Sequence, residues 1–215
     1  MTVATLELPA LDARNISHAY GRHQILNDIS FEVAPGALVG ITGENGTGKS
    51  TLLRVLSGQL RPRGGVVSYR GALGYCPQEP SLNSFLTVGQ HIEFFRAAYK
   101  LESLDRATEL VRELGFEKYM DHSVASLSGG TRQKLNLTIA LMHRPAVLLL
   151  DEPYQGFDWE TYLRFWDLAI EVREAGAAVV VVSHLAFDHE RFDTLYELKA
   201  GSLGVPSSAA AGVSA

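Results

Sequence analysis

Residues 43–51 read GENGTGKST, and the fold of the chain follows from this stretch. Its three glycines disfavour both helix and strand. The apolar residues 37–41 lead into it, and the largely apolar residues 52–56 leave it. We therefore expect a loop between two core elements, with a strand before it and a helix from about Lys49 to Ser57 after it.

The loop fits the phosphate-binding pattern of two glycines separated by four residues and followed by Lys49 and Ser50. Glycines let backbone N–H groups turn onto an anion, and the next helix adds the positive end of its dipole. Lys49 is expected to reach the β- and γ-phosphates, and Ser50 to ligate Mg²⁺. A glycine-rich turn with an exposed lysine is the alternative, which the strand–loop–helix context disfavours. The predicted nucleotide-binding residues here are Gly43, Asn45, Gly46, Gly48, Lys49, Ser50 and Thr51.

The composition excludes several classes of protein. With 215 residues and 46% hydrophobic content, the chain can bury one sizeable core. Its longest apolar run, residues 177–182, is far shorter than the ~20 residues of a membrane-spanning helix, and residues 1–15 lack a signal-peptide layout. The single cysteine, Cys76, allows no internal disulfide, and a net charge of −5 argues against a nucleic-acid surface. We expect a cytoplasmic protein that binds no nucleic acid.

Secondary-structure signals change along the chain. Residues 15–69 carry mostly strand signals. A helical block follows, in which Thr87 is predicted to cap a helix over 88–100 and Ser103 a helix over 104–114. After Pro145 the order is strand, helix and strand, which is typical of a parallel sheet. The second set of predicted elements covers residues 146–150, 159–175 and 177–182.

The predicted fold class is α/β, a P-loop NTPase core with a mostly parallel sheet. An N-terminal antiparallel β subdomain and an inserted α-helical subdomain, over about residues 79–144, complete it. A single nucleotide-binding domain should cover residues 1–204. The low-complexity tail 205–215 is expected to be mobile.

A second chemical signal is VLLLDE, residues 147–152. A buried strand that ends in carboxylates places them at the C-terminal edge of the sheet, where open α/β folds bind ligands. Neighbours in a strand point to opposite sides, so Asp151 and Glu152 can have different roles. Asp151 is predicted to hold Mg²⁺, and Glu152 to orient or deprotonate the attacking water.

The third signal is LSGG, residues 127–130, which precedes an apolar-periodic helix over 135–142. Alone, it is equally well explained as a capped helix start or as an anion site. The order of phosphate loop, Gln78, LSGG, acidic strand and His184 resembles the nucleotide-binding domain of the ABC ATPases. This resemblance runs over about residues 16–199.

The resemblance implies further roles within one chain. Tyr20 would stack on adenine, although an ordinary edge-strand tyrosine, or stacking by His18, is the alternative. Gln78 would reach Mg²⁺ and the attacking water and link the site to the helical subdomain. His184 would contact the γ-phosphate.

The resemblance also implies a site shared between two chains. Ser128, Gly129 and Gly130 would close on the γ-phosphate bound to the opposite subunit, and Asp158 would lie along the dimer seam. Two departures from the family pattern fall at the expected interface. Thr131 stands where glutamine is frequent, and residues 153–157, PYQGF, are bulkier than usual.

The implied function is that of an ATP-hydrolysing subunit that dimerises around two MgATP and energises transport by separate membrane permeases. The permease would contact Gln78 and the helical subdomain, and the chain would be peripheral on the cytoplasmic face of the membrane. Ile92, Phe95 and Tyr99 form a helical stripe, with Phe94 beside it, that is either subdomain core or docking surface. The segment is similar to that of ATPases serving bacterial exporters, which favours export.

Several alternatives stay open at the level of sequence. A soluble ABC ATPase that drives cofactor or complex assembly would have a similar sequence. A regulatory module without turnover is disfavoured because Glu152 and His184 are both present. The dimer is formed either by two identical chains or with a related ATPase.

Overall fold

The strands predicted on either side of the glycine loop are present in the computed structural model, which describes residues 8–183 and 190–206. The described strands are β1 (Leu11–Tyr20), β2 (His23–Val33), β3 (Leu38–Thr42), β4 (Gly64–Tyr69), β5 (Leu73–Cys76), β6 (Val147–Asp151), β7 (Ala178–Val182), β8 (Thr194–Lys199) and β9 (Ser202–Gly204). The described α-helices are α1 (Lys49–Leu56), α2 (Val88–Ala98), α3 (Asp105–Glu113), α4 (Gly129–Leu141) and α5 (Trp159–Glu174). Short 3₁₀ helices at Glu117–Tyr119 and Val124–Ser126 lie between α3 and α4.

The main sheet has the strand order β5-β6-β7-β3-β8-β9. Its pairings are parallel, except that β9 runs antiparallel to β8. The sequences of β6, VLLLD, and β7, AVVVV, are buried at every residue, as expected of strands covered on both faces. This sheet confirms the predicted parallel α/β core.

Alternate residues of β6 face two different hydrophobic clusters. Leu148 and Leu150 belong to the cluster that includes helices α2 to α5, whereas Val147 and Leu149 belong to the cluster that includes α1. This is the two-residue period of a strand that is buried on both sides. Asp151 therefore continues the α1 side, which is the side of the phosphate loop.

The N-terminal strands form the predicted antiparallel sheet, with the order β2-β1-β4. Its buried residues, among them Ile16 and Leu26, share a cluster with Leu52 and Leu53 of α1. The helix that follows the phosphate loop is thus packed between the two sheets. This packing fixes the direction of the N-terminal end of α1.

The segment between β5 and β6 is helical, as predicted. Thr87 caps α2 with a capping box: its side chain accepts from Gln90 N at 3.1 Å, and the Gln90 side chain accepts from Thr87 N at 2.9 Å. The prediction that Ser103 caps α3 was wrong. The N-cap is Leu104, and Ser103 Oγ lies 3.5 Å from the N–H of Asp105, because Ser103 stands one residue too early to cap the first turn.

The apolar stripe of α2 is largely subdomain core. Ile92 is buried, and Phe95 and Tyr99 are half-buried against the same hydrophobic cluster. Phe94 is the exception, since 60% of its surface is exposed. The stripe itself is therefore not a docking surface, which leaves Phe94 as its outward-facing neighbour.

Candidate functional site

The phosphate loop joins the end of β3 to the start of α1, and its glycines are required by geometry. Gly43 has φ of +150° and Gly48 has φ of +107°, values that favour glycine. A Cβ on Gly43 would lie 2.5 Å from the Leu198 carbonyl oxygen, and one on Gly48 would lie 2.9 Å from Ile25 Cγ2. The loop backbone can therefore follow this path only without side chains at these two positions.

Lys49 is buried at the first position of α1, with 6% of its surface exposed. Its Nζ donates to the carbonyl oxygens of Gly43 at 2.7 Å and Glu44 at 2.9 Å. Burial lowers the pKa of Lys49, while the charges of Glu152 and Asp151 raise it. The ammonium group thus lies within the loop and close enough to both carboxylates to interact electrostatically.

Asp151 is buried beneath the loop, with only 2% of its surface exposed. Burial raises its pKa to about 6; a hydrogen bond with the Ser50 side chain lowers it, the charge of Glu152 raises it, and Lys49 lowers it. Within the described chain, Asp151 Oδ1 has no hydrogen-bond partner. A buried carboxylate oxygen beside a serine hydroxyl suits a hard divalent cation, so Asp151 and Ser50 fit the predicted Mg²⁺ site.

Glu152 follows directly and has a different environment. Its backbone adopts φ of +46°, which is unusual for a residue with a side chain, and its N–H donates to Val182 O at 3.0 Å. Its carboxylate accepts from Gln78 Nε2, with 3.2 Å between Gln78 Nε2 and Glu152 Oε2. Two residues that are 74 positions apart therefore meet at the carboxyl end of the parallel sheet.

Lys49, Gln78 and Glu152 line one cleft of about 440 Å³, whereas Asp151 is not among its lining residues. Gln78 and Glu152 line this cleft together with residues of the phosphate loop and α1. Sequence reasoning missed two of the lining residues, Ile25 and Gln155, because each is brought in by the packing of another element. The lining consists of Ile25, Asn45, Gly46, Gly48, Lys49, Ser50, Thr51, Gln78, Glu152 and Gln155.

The LSGG segment lies outside the lining of this cleft, as far as the described residues show. Ser128 caps α4: its Oγ accepts from Thr131 N at 3.1 Å and lies 2.9 Å from Thr131 Oγ1. Thr131, the first departure from the family pattern, is thus buried and bonded to the capping serine. Gly129 instead lines a second cleft of about 410 Å³, which shares Gln78 and Gln155 with the first.

Two more of the predicted residues, Tyr20 and Asp158, are not among the described residues that line the cleft. Tyr20 ends β1 with 47% of its surface exposed, whereas His18 is buried beside it, with 4.9 Å between the ring centroids. Burial excludes His18 as the stacking group and leaves Tyr20 as the candidate. Asp158 caps α5, and its Oδ1 accepts from Thr161 N at 2.8 Å. His184 lies outside the described residues, as do residues 207–215 of the predicted tail.

The largest side chain of residues 153–157, the segment that departs from the family pattern, is directed into the core. Tyr154 has 7% of its surface exposed and packs against Tyr162, Phe165 and Trp166. Its hydroxyl is hydrogen-bonded to the Ser183 hydroxyl at the end of β7. The aromatic side chain of Tyr154 is therefore part of the core of this chain.

A phosphate loop between a parallel strand and a helix, with a buried aspartate at the end of another parallel strand of the same sheet, β6, defines a P-loop NTPase. The family model for ABC transporters matches residues 26–155. The chain belongs to this family, as an ATP-binding and ATP-hydrolysing subunit.

Three similar proteins illustrate the relationship. The zinc import ATP-binding protein ZnuC of Cereibacter sphaeroides is 40% identical over 175 residues, which are 80% of this chain and 71% of that protein. The linearmycin resistance ATP-binding protein LnrL of Bacillus subtilis is 31% identical over 189 residues, which are 81% of this chain and 61% of that protein. A solved structure of an ATP-binding subunit of an ABC transporter is 28% identical with a TM-score of 0.85, covering 93% of this chain and 91% of that one.

In the described part of the chain, no helix has both the length and the apolar character needed to cross a membrane. Nor do the described residues contain a group of three or more His, Cys, Asp or Glu side chains arranged to hold a metal ion. The predicted Mg²⁺ site consists instead of the Ser50 hydroxyl, the Asp151 carboxylate and the Gln78 amide, and Mg²⁺ commonly takes its other ligands from nucleotide phosphates and water.

Proposed function

We propose that this subunit binds MgATP in the 440 Å³ cleft and uses its hydrolysis to drive transport through separate membrane permeases. The observation that carries the proposal is the hydrogen bond between Gln78 and Glu152, in the cleft that the phosphate loop also lines. This hydrogen bond supports the proposal because an amide and a carboxylate near the phosphate loop could act on a water molecule that attacks the γ-phosphate. The proposal includes the nucleotide-binding domain over residues 1–204 and its helical subdomain over about 79–144.

Each predicted site residue has a distinct proposed role. The backbone of the phosphate loop and Lys49 bind and neutralise the β- and γ-phosphates. Ser50 and Asp151 would hold Mg²⁺, with Gln78 reaching it and the attacking water, and the ion would supply charge neutralisation on the phosphate oxygens when bound. Glu152 orients the attacking water and accepts its proton, and Gln78 holds the Glu152 carboxylate in place. Tyr20 stacks on adenine, and His184 contacts the γ-phosphate.

We also propose that each active site is shared between two chains. Supporting this, the N-terminus of α4, with Ser128, Gly129 and Gly130, presents backbone N–H groups at a helix start that does not line the cleft of its own chain. In the dimer these groups would bind the γ-phosphate held by the partner's phosphate loop, with Asp158 along the seam. Two bound nucleotides would thus be closed between two subunits.

A complementation experiment tests the shared site. Lys49→Ala removes the phosphate ligand, and Ser128→Arg obstructs the shared side, so each purified variant should lack ATPase activity. In a mixed dimer, one site receives both wild-type residues and the other receives both substitutions. Mixing the variants should therefore restore roughly a quarter of wild-type activity per chain, since half the dimers then hold one intact site. Absence of any restored activity would overturn the shared-site proposal.

The surface proposed for the permease is the second cleft, between Gln78 and the helical subdomain. Phe85, which is 90% exposed, follows directly after Ser84 of the lining, and Phe94 on α2 is 60% exposed, so both offer apolar surface to a partner. The names of the relatives point to zinc import and to drug resistance, so they favour neither direction of transport, and export stays a prediction.

The permease proposal is tested by purifying the tagged Glu152→Gln chain with MgATP from detergent-solubilised membranes of its host. We expect a multi-span membrane protein to be recovered with it, and the double variant Glu152→Gln/Phe85→Asp to lose that partner. Phe85→Asp alone should keep the basal ATPase activity of the wild-type chain. Recovery of soluble proteins alone would instead indicate an assembly ATPase at the same catalytic site.

A further inference from the structure

A buried amide on α4 contacts the backbone directly before Gln78. Asn136 has 6% of its surface exposed. Its Nδ2 lies 2.8 Å from Pro77 O, 3.2 Å from Cys76 Sγ and 3.4 Å from Gln133 Oε1. The Asn136 side chain thus donates to the point where the chain leaves β5, one residue before Gln78.

The neighbours of Asn136 make this contact specific. Gln133, one turn earlier on α4, is also buried, and its Nε2 lies 3.7 Å from Cys76 Sγ. Burial raises the pKa of Cys76, so this sulfur stays a neutral thiol. The side-chain amides of Asn136 and Gln133 therefore contact uncharged acceptors at the end of β5, namely the Cys76 sulfur and the Pro77 carbonyl oxygen.

A buried amide at position 136 lowers the free energy of unfolding unless its hydrogen bonds compensate for the lost hydration. The adjacent α4 residues Leu135, Leu137 and Ile139 are buried in the hydrophobic cluster that also contains Cys76. An apolar side chain at position 136 would avoid the loss of hydration that a buried amide suffers. Asn136, unlike these apolar neighbours, donates a hydrogen bond to Pro77 O, and this contact accounts for an amide at position 136.

We propose that Asn136 is a positioning residue for ATP hydrolysis, which acts by holding the Pro77 carbonyl so that Gln78 reaches Glu152. This rests on the roles proposed above for Gln78 and Glu152. Asn136 lies on the helix that begins at the LSGG segment, about 12 Å along its axis from Ser128. A shift of α4 would therefore move Pro77 and change the distance from Gln78 to the carboxylate.

The chain offers a matched control on the same helix. Thr138 is fully buried, and its hydroxyl donates to Lys134 O at 2.9 Å, within α4 itself. Asn136→Leu removes the donor at similar volume, and Thr138→Val removes a hydroxyl at similar volume. Both variants lose a buried hydrogen bond of α4, but only the first one loses the contact with the Gln78 segment.

The measurements are kcat, the KM for ATP and the thermal midpoint of the full-length chain. We expect Asn136→Leu to lower kcat roughly tenfold with KM changed less than about twofold, because nucleotide binding does not use this contact. Thr138→Val should leave kcat within about twofold. Asn136→Ala serves the same purpose if the leucine variant does not fold.

A double variant separates positioning from simple structural support. If Asn136 acts through Gln78, adding Asn136→Leu to Gln78→Ala should lower kcat by less than about twofold more. Two outcomes would overturn this inference alone. In the first, the double variant loses kcat by the product of the two single losses; in the second, kcat is unchanged in both Asn136 variants although Gln78→Ala is impaired. An unaffected Gln78→Ala variant would overturn the proposed role of Gln78 and this inference with it.

Discussion

Gly130 and Gly156 are in backbone contact, and a Cβ added to Gly130 would lie 2.3 Å from the Gly156 carbonyl oxygen. The contact joins the start of α4 to the turn that precedes Asp158. Both segments belong to the proposed shared face of the dimer. The position of the start of α4 therefore depends on the position of the turn before Asp158.

We predict that Gly130→Ala is destabilising and impairs turnover, since a backbone oxygen cannot yield as a flexible side chain can. The free energy of unfolding should fall by about 1 to 3 kcal/mol, as for other overpacked sites. Urea unfolding and ATPase assays measure both effects, and ATP affinity should be largely kept because the cleft is lined by other residues.

Gly129→Ala is the matched control, because a Cβ there meets nothing within 4 Å. Its stability should be unchanged or raised by up to about 1 kcal/mol, since alanine favours a helix more than glycine does. Equal destabilisation by both alanines would show that the contact with Gly156 is not the cause.

A second prediction concerns Glu152→Gln, which keeps the shape of the side chain and removes the proton acceptor. Turnover should fall by roughly a hundredfold or more, while MgATP binding is retained. Because hydrolysis would then no longer reopen the shared sites, size-exclusion chromatography with MgATP should show a dimer. Wild-type turnover in this variant would refute the role assigned to Glu152.

The sequence predicted the local structure well where neighbouring residues determine it. The glycine loop, the buried strand before Asp151 and the serine cap at Ser128 each follow from spacing and local hydrogen bonding. Ile25 and Gln155 were missed because their place in the cleft comes from contacts between distant elements, which no periodicity encodes.

The inward direction of Tyr154 was beyond prediction for a different reason. It depends on the positive φ angles of Glu152, +46°, and Gly156, +78°, which turn the chain after β6. A non-glycine residue with positive φ is uncommon, and nothing in the sequence marks Glu152 as one.

The third prediction uses this burial of Tyr154. Tyr154→Phe removes the hydrogen bond to Ser183 and should lower the free energy of unfolding by about 1 kcal/mol. Tyr154→Ala also empties part of the aromatic cluster and should lower it by about 3 to 5 kcal/mol. Denaturant unfolding without nucleotide checks both, and a side chain placed only in a dimer seam would leave the free energy of unfolding of the monomer unchanged.

The last prediction follows from the pKa of Asp151, which burial raises from the ordinary aspartate value of 3.8 to about 6. Because the pKa is higher in the folded state, ionisation of Asp151 lowers the free energy of unfolding. This destabilisation is absent below about pH 4, grows between about pH 4 and 6, and is complete above about pH 6. Asp151→Asn should therefore raise the free energy of unfolding at about pH 8 in EDTA and change it less at about pH 4. The same variant should lose Mg²⁺-dependent ATPase activity, since it removes the proposed metal ligand. Equal stability effects at the two pH values would contradict the assignment of a raised pKa to this buried carboxylate.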